Sequence, residues 1–132
     1  MEVKVNKLTL YNKQFPKSNK YDDSLPIKLS MGLNVLWLTE LLTENINLNN
    51  NQLDPYFAAE IGKTFELNKQ IKSLDFSNNE LLDLGVTMIA RYVQKLDSLT
   101  TLNLANNKTT ELGVYMVDES LKLIGKPENF SI

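Results

Sequence analysis

The sequence predicts an α/β fold, a short solenoid of stacked β–α units with parallel strands on its concave face and helices on its convex face. Three observations predict it. Short apolar-x-apolar segments recur along the chain. An asparagine follows each at a fixed distance. After it comes a stretch with apolar residues at helical spacing. Ile46-Asn-Leu48-Asn-Asn-Asn51-Gln-Leu53 aligns with Leu74-Asp-Phe76-Ser-Asn-Asn79-Glu-Leu81, and both align with Leu102-Asn-Leu104-Ala-Asn-Asn107-Lys-Thr109. The step from Asn51 to Asn79 equals the step from Asn79 to Asn107, and Gly85 to Gly113 repeats it. A fixed period of this size is the mark of a stacked-repeat architecture.

The strand half of each unit comes first. Alternating apolar residues place Leu74 and Phe76, and likewise Leu102 and Leu104, on one inward face. Where the strand ends, the chain turns and cannot complete a sheet ladder. A buried Asn side chain offers two donors and an acceptor to that stretch of backbone. Asn51, Asn79 and Asn107 are expected to do this as structural turn asparagines, each worth ~1–3 kcal/mol through the buried groups it satisfies.

The return half is helical. Ile89, Tyr92, Val93 and Leu96 fall at i, i+3, i+4 and i+7, with Met88 beside them. Met116, Val117, Leu121 and Ile124 fall comparably in the next unit, which Gly125 and Pro127 close. Leu33, Leu36, Trp37 and Leu41 make a similar face earlier, with Pro26 suited to a first helical turn.

Partial copies flank the three clear ones. Val5-Asn-Lys-Leu8-Thr-Leu10-Tyr-Asn-Lys13 fits the strand pattern, with Lys13 where the asparagine belongs. The step from Leu8 to Ile46 is longer than the regular one, which an insertion accounts for. Phe130 and Ile132 follow Leu102 and Leu104 at the regular step. One domain over 1–132 follows. Its repeats cover about 3–42 with a loop insertion at 16–27, then 43–70, 71–98, 99–126, and a partial strand at 127–132.

Asn79-Glu-Leu-Leu-Asp83-Leu-Gly85-Val-Thr-Met-Ile89-Ala90 resembles the long, ribonuclease-inhibitor type of leucine-rich repeat. The resemblance extends over nearly the whole chain, with departures at Lys13, Pro55 and Phe57. It implies a horseshoe-like scaffold that binds proteins, in some cases by blocking an enzyme's active site. The Asn- and Lys-rich chain also resembles small leucine-rich-repeat effectors that intracellular bacterial pathogens inject into host cells. That resemblance implies an inhibitor or regulator of another effector, located in the cytoplasm or in the host cytoplasm. Alternatives carried beside it are a regulator of a small GTPase, with Arg91 as the only arginine finger on offer, and a capping fragment of a longer solenoid.

Composition narrows the chemistry. The chain has 132 residues and a net charge of −2, with neither cysteine nor histidine. Disulfides, Cys/His zinc sites, thiol nucleophiles and imidazole bases are therefore excluded. There is no glycine-rich phosphate loop and no basic stripe with aromatics, which argues against catalysis and against nucleic acid. The longest apolar stretch, Leu29–Leu42, is too short to span a bilayer, and Met1–Leu10 lacks the apolar core of a secretory signal. The expectation is a non-enzyme with no cofactor, no metal and a protein partner in a heteromeric complex.

Residues between the strand leucines should point outward and form the binding face. They are Thr9 and Tyr11; Asn45, Asn47 and Asn49; Lys72, Ser73, Asp75 and Ser77; and Thr101 and Asn103. The inserted loop adds Tyr21 as an aromatic anchor, with Asp22 and Asp23 beside it. Five strands at ~4.8 Å span only about 20 Å. That is less than a standard protein interface needs, so the rims and the loop must contribute.

Overall fold

The structure is a computed structural model that describes residues 2–4, 44–62, 65, 69–123, 125 and 127–132. Five short strands form one parallel sheet in chain order: β1 (Glu2–Lys4), β2 (Asn45–Asn47), β3 (Ser73–Asp75), β4 (Thr101–Asn103) and β5 (Asn129–Ser131). Among the described residues three α-helices lie between them: α1 (Pro55–Gly62), α2 (Leu82–Tyr92), which tightens into a 3-10 turn at Val93–Lys95, and α3 (Glu111–Lys122). The helices pack on one another in chain order, α1 on α2 and α2 on α3. The sheet and the helices thus form two layers, the arrangement that parallel strands joined by helical crossovers require.

The repeat period is the register of the sheet. Ile46, Leu74, Leu102 and Phe130 stand opposite one another across β2–β5. Ladder bonds continue past the strand ends with the same offset. Leu48 N–H donates to Asp75 C=O at 2.8 Å, Phe76 N–H to Asn103 C=O at 2.9 Å, and Leu104 N–H to Ser131 C=O at 2.7 Å. The core fills the space between the layers. Leu48, Phe76 and Leu104 are fully buried from the strand side, and Ile61, Ile89, Val93, Val117 and Leu121 from the helix side.

The start of the chain takes a different register from the expected one. β1 pairs Val3 with Ile46, whereas the repeat alignment set Leu8 there. Val3-Lys-Val5 and Leu8-Thr-Leu10 both alternate apolar residues. A period-two pattern cannot separate such candidates, because each presents the same face. Leu8, Thr9, Tyr11 and the 16–27 insertion with Tyr21, Asp22 and Asp23 lie outside the described residues.

Helix starts follow local rules in one case and long-range ones in another. Pro55 opens α1, and Asp54 caps it by accepting the Phe57 N–H at 3.0 Å, as a first-turn proline and an N-cap aspartate should. At α3, Thr110 is the N-cap, and its own N–H and hydroxyl donate to the Asp83 carboxylate of α2. Gly113 makes room for that contact, because a Cβ there would collide with Asp83 Oδ1.

Candidate interaction surface

The outward face of the sheet carries two polar columns. One is Asn45, Ser73, Thr101 and Asn129; the other is Asn47, Asp75, Asn103 and Ser131. The strand residues between them, Ile46, Leu74 and Leu102, are buried against the helices. Asn45, Asn47, Ser73, Asp75, Thr101 and Asn103 are half-buried and share one surface, as the alternation of the strands dictates.

The second column also shapes the backbone. Asn47 Oδ1 accepts the Asn49 N–H at 3.0 Å, Asp75 Oδ1 the Ser77 N–H at 2.9 Å, and Asn103 Oδ1 the Ala105 N–H at 3.0 Å. Each is a side chain closing a turn on the amide two residues ahead, which Asn and Asp can do and Ser or Thr do more weakly. These residues therefore stabilise the strand exit while facing outward. Ser77 departs from its expected place. It is 5% exposed, and its hydroxyl donates to Asp75 Oδ1 at 2.6 Å, so it supports the surface from behind. Asn49 is half-buried.

Just before the strands, Lys72 Nζ stands 3.2 Å from Glu44 Oε1, and the Thr100 hydroxyl donates to Lys72 C=O at 3.2 Å. The register adds what the sequence reading missed. Glu2 and Lys4 stand in the columns of Asn45 and Asn47, where Lys7 and Thr9 were expected.

Behind this face runs the asparagine ladder. Asn79 Oδ1 accepts the N–H groups of Asn51 (2.9 Å) and Leu53 (3.0 Å) in the preceding unit. Its amide donates to the carbonyls of Leu48 (3.0 Å), Phe76 (2.8 Å) and Ser77 (3.2 Å). Asn107 accepts the Leu81 N–H at 3.2 Å and donates to Phe76, Leu104 and Ala105 carbonyls. Asn51 donates to Leu48 and Asn49 carbonyls. All three bond the backbone of their own turns, and Asn79 and Asn107 bond the preceding unit's turn as well. Next to each, Asn50, Asn78 and Asn106 adopt φ of 57–58°, a left-handed conformation that asparagine tolerates.

Among the described residues no three His, Cys, Asp or Glu side chains come together, and no helix is long and apolar enough to cross a membrane. Arg91 is exposed in the last turn of α2, in the helix layer. A separate recess beside the 3-10 turn is lined by Val93, Gln94, Leu96, Asp97, Leu99 and Pro127.

No protein-family model matches the chain, and no curated protein matches it by sequence. A solved structure titled "Leiomodin-1 Actin-Binding Site 2 (ABS2)" is similar in fold, with a TM-score of 0.58 over 92% of this chain and 73% of that one, at 21% sequence identity.

Proposed function

We propose that the chain is a leucine-rich-repeat solenoid of the ribonuclease-inhibitor type and a non-catalytic protein-binding module, whose partner docks on the outward, concave face of the sheet. The observation that carries this reading is the construction of that face. Its side chains are polar and outward, and Asn47, Asp75 and Asn103 are held by side-chain-to-backbone bonds at the strand exits, so these three lose little rotamer freedom on docking. The even period and the turn asparagines support the repeat type. The fold likeness to a structure titled as an actin-binding site makes actin the first partner to test. Occlusion of a partner enzyme's active site, restraint of another effector, and a cytoplasmic setting are finer parts of the same proposal. No observation favours the small-GTPase reading, because Arg91 stands in the helix layer, away from the sheet face.

The test is affinity purification with mass spectrometry, run beside cosedimentation with filamentous actin. The native chain is compared with Lys72→Glu/Asp75→Asn/Thr101→Arg. The Asn at 75 keeps the Oδ1 acceptor and removes only charge. Loss of a partner in the triple variant, with unchanged thermal unfolding, supports the sheet face. A partner held equally by both chains sinks it.

A further inference from the structure

We infer that the turn at Glu80–Leu82 is a two-path hinge, and that the native chain exchanges between the two paths. The turns after β2, β3 and β4 stand in one register, so each shows a backbone path open to the others. Past the turn asparagines, the left-handed residue is Gln52 after β2 (φ 55°) and Lys108 after β4 (φ 57°). Their counterpart Glu80 is not left-handed, and Leu82 is instead, at φ 59°. The helix starts shift with it. Pro55 of α1 and Glu111 of α3 both correspond to Asp83, yet α2 begins one residue sooner, at Leu82. The first helical bonds agree. Ala58 N–H donates to Asp54 C=O and Val114 N–H to Thr110 C=O, whereas Gly85 N–H reaches back to Leu81 C=O.

Residue type explains why this turn departs. An N-cap position has extended backbone and favours Asp, Asn, Ser or Thr. Asp54 and Thr110 hold that position in the neighbouring units, Asp54 by accepting the Phe57 N–H and Thr110 at φ −94°. Leu82 has no oxygen to offer there. The path it takes is strained but gains two bonds to other units. Glu80 N–H donates to Leu53 C=O at 2.8 Å, and Leu82 N–H donates to Asn107 C=O at 3.0 Å. The matching pairs, Lys108 with Leu81 and Asp54 with Asn79, carry no such bond. Leu81 is the fixed point. It is fully buried, and its N–H meets Asn107 Oδ1 at 3.2 Å just as the Leu53 N–H meets Asn79 Oδ1 at 3.0 Å. Its two neighbours therefore rotate about an anchored leucine without disturbing the core. Either path keeps one residue other than glycine left-handed, Leu82 or Glu80, so strain moves between them and does not vanish. The Glu80–Lys108 ion pair is exposed, too weak to lock one path. Adopting the neighbours' path releases both cross-unit bonds together, which makes this turn the point where the stack loosens on both sides of one unit.

The experiment uses the full chain labelled with nitrogen-15, read by NMR relaxation dispersion and amide hydrogen exchange. The native chain should show exchange on a microsecond-to-millisecond timescale at Glu80 and Leu82, and none at Gln52 and Lys108. Leu82→Asp supplies the missing cap and should move the turn to the neighbours' path. Hydrogen-exchange protection at residues 80 and 82 should then fall at least tenfold. Glu80→Gly eases the same path and should lower protection at both positions several-fold. Leu82→Gly relieves the strain of the present path and should quench the exchange. Both positions are exposed, and matching thermal melts establish that the variants fold. Flat dispersion profiles at Glu80 and Leu82 in the native chain overturn the hinge. So does a Leu82→Asp chain that keeps both amides protected. Exchange of equal size at all three turns overturns it as well, because fraying common to every turn would then replace a hinge at one.

Discussion

The unit built from β3 and α2 and the next one, built from β4 and α3, share a register yet differ sharply in their helices. Their strand halves correspond residue for residue: Leu74 to Leu102, Phe76 to Leu104, Asn79 to Asn107, all buried. Their helix halves do not. Thr87 is 6% exposed where Tyr115 is 61% exposed, and Ala90 is buried where Asp118 is half-buried. The strand half is bound to its neighbours by directional hydrogen bonds, which tolerate few residue types. The helix half needs only to fill space, and α2 has helices on both sides while α3 packs chiefly on α2. Uniform strands and variable helices are therefore what two different kinds of constraint produce from one repeat.

The largest expected effect tests the uniform half. Asn79→Ala removes five hydrogen bonds spread over two units and leaves several buried backbone groups unsatisfied, at a cost on the order of 3 kcal/mol. Asn107→Ala removes four, and should cost somewhat less, about 2 kcal/mol. Urea unfolding read by circular dichroism measures both. Costs below about 0.5 kcal/mol for either variant would mean that water satisfies these groups and that the ladder does not hold the units together.

A smaller effect probes where the two units diverge in backbone. Leu82 opens α2 at φ 59°, while its counterpart Thr110 sits at φ −94°. In the last unit the left-handed residue beyond the turn asparagines is Lys108 instead, at φ 57°. A leucine in that conformation carries about 1–2 kcal/mol of steric strain. Leu82→Asn should recover about 1 kcal/mol of it, because asparagine enters this region more readily. Thr110→Asn should recover nothing by this route. A shift in the urea midpoint for Leu82→Asn alone confirms the asymmetry, and equal shifts for both would erase it.

Much of this was legible beforehand, and the misses have physical causes. The strand pattern and the turn asparagines are written as repeats because the bonds they make repeat. The α2 face was mostly readable: Ile89, Val93 and Leu96 are buried, with Tyr92 half-buried. The α3 face was not. Val117 and Leu121 are buried as expected, but Met116 is 36% exposed, and the apolar Leu112 and Tyr115 face outward. Hydropathy reports which side chains are apolar and not which have a neighbour to cover them. The outward columns at β2–β4 were found by alternation, while the turn-closing role of Asn47, Asp75 and Asn103 was not. An Asx bond depends on the local path of the chain, and sequence alternation carries no trace of it. The first strand failed for the register ambiguity already described: two alternating segments compete, and only pairing decides.

The smallest effect lies at the seam between the two units, and it is read by pH. Asp83 accepts from the hydroxyl and then the backbone N–H of Thr110, and these bonds hold its carboxyl below its ordinary value of 3.8. A carboxyl depressed by folding stabilises the native state above the unfolded value, and that contribution disappears as pH falls through the folded one. At neutral pH the seam is intact; under acid, below 3.8, protonation of Asp83 removes its contribution. Thr110→Val deletes the first of the two bonds, and Gly113→Ala crowds the carboxylate that makes both. Each should move the Asp83 carboxyl back toward the ordinary value in an NMR titration and flatten the acid limb of stability relative to the native chain. The group is only partly buried, so the change in stability should be small and the titration is the sharper readout. An Asp83 titration that neither substitution moves would show that the seam rests on apolar packing between α2 and α3 alone, and that the Asp83–Thr110 contact follows from that packing instead of helping to set it.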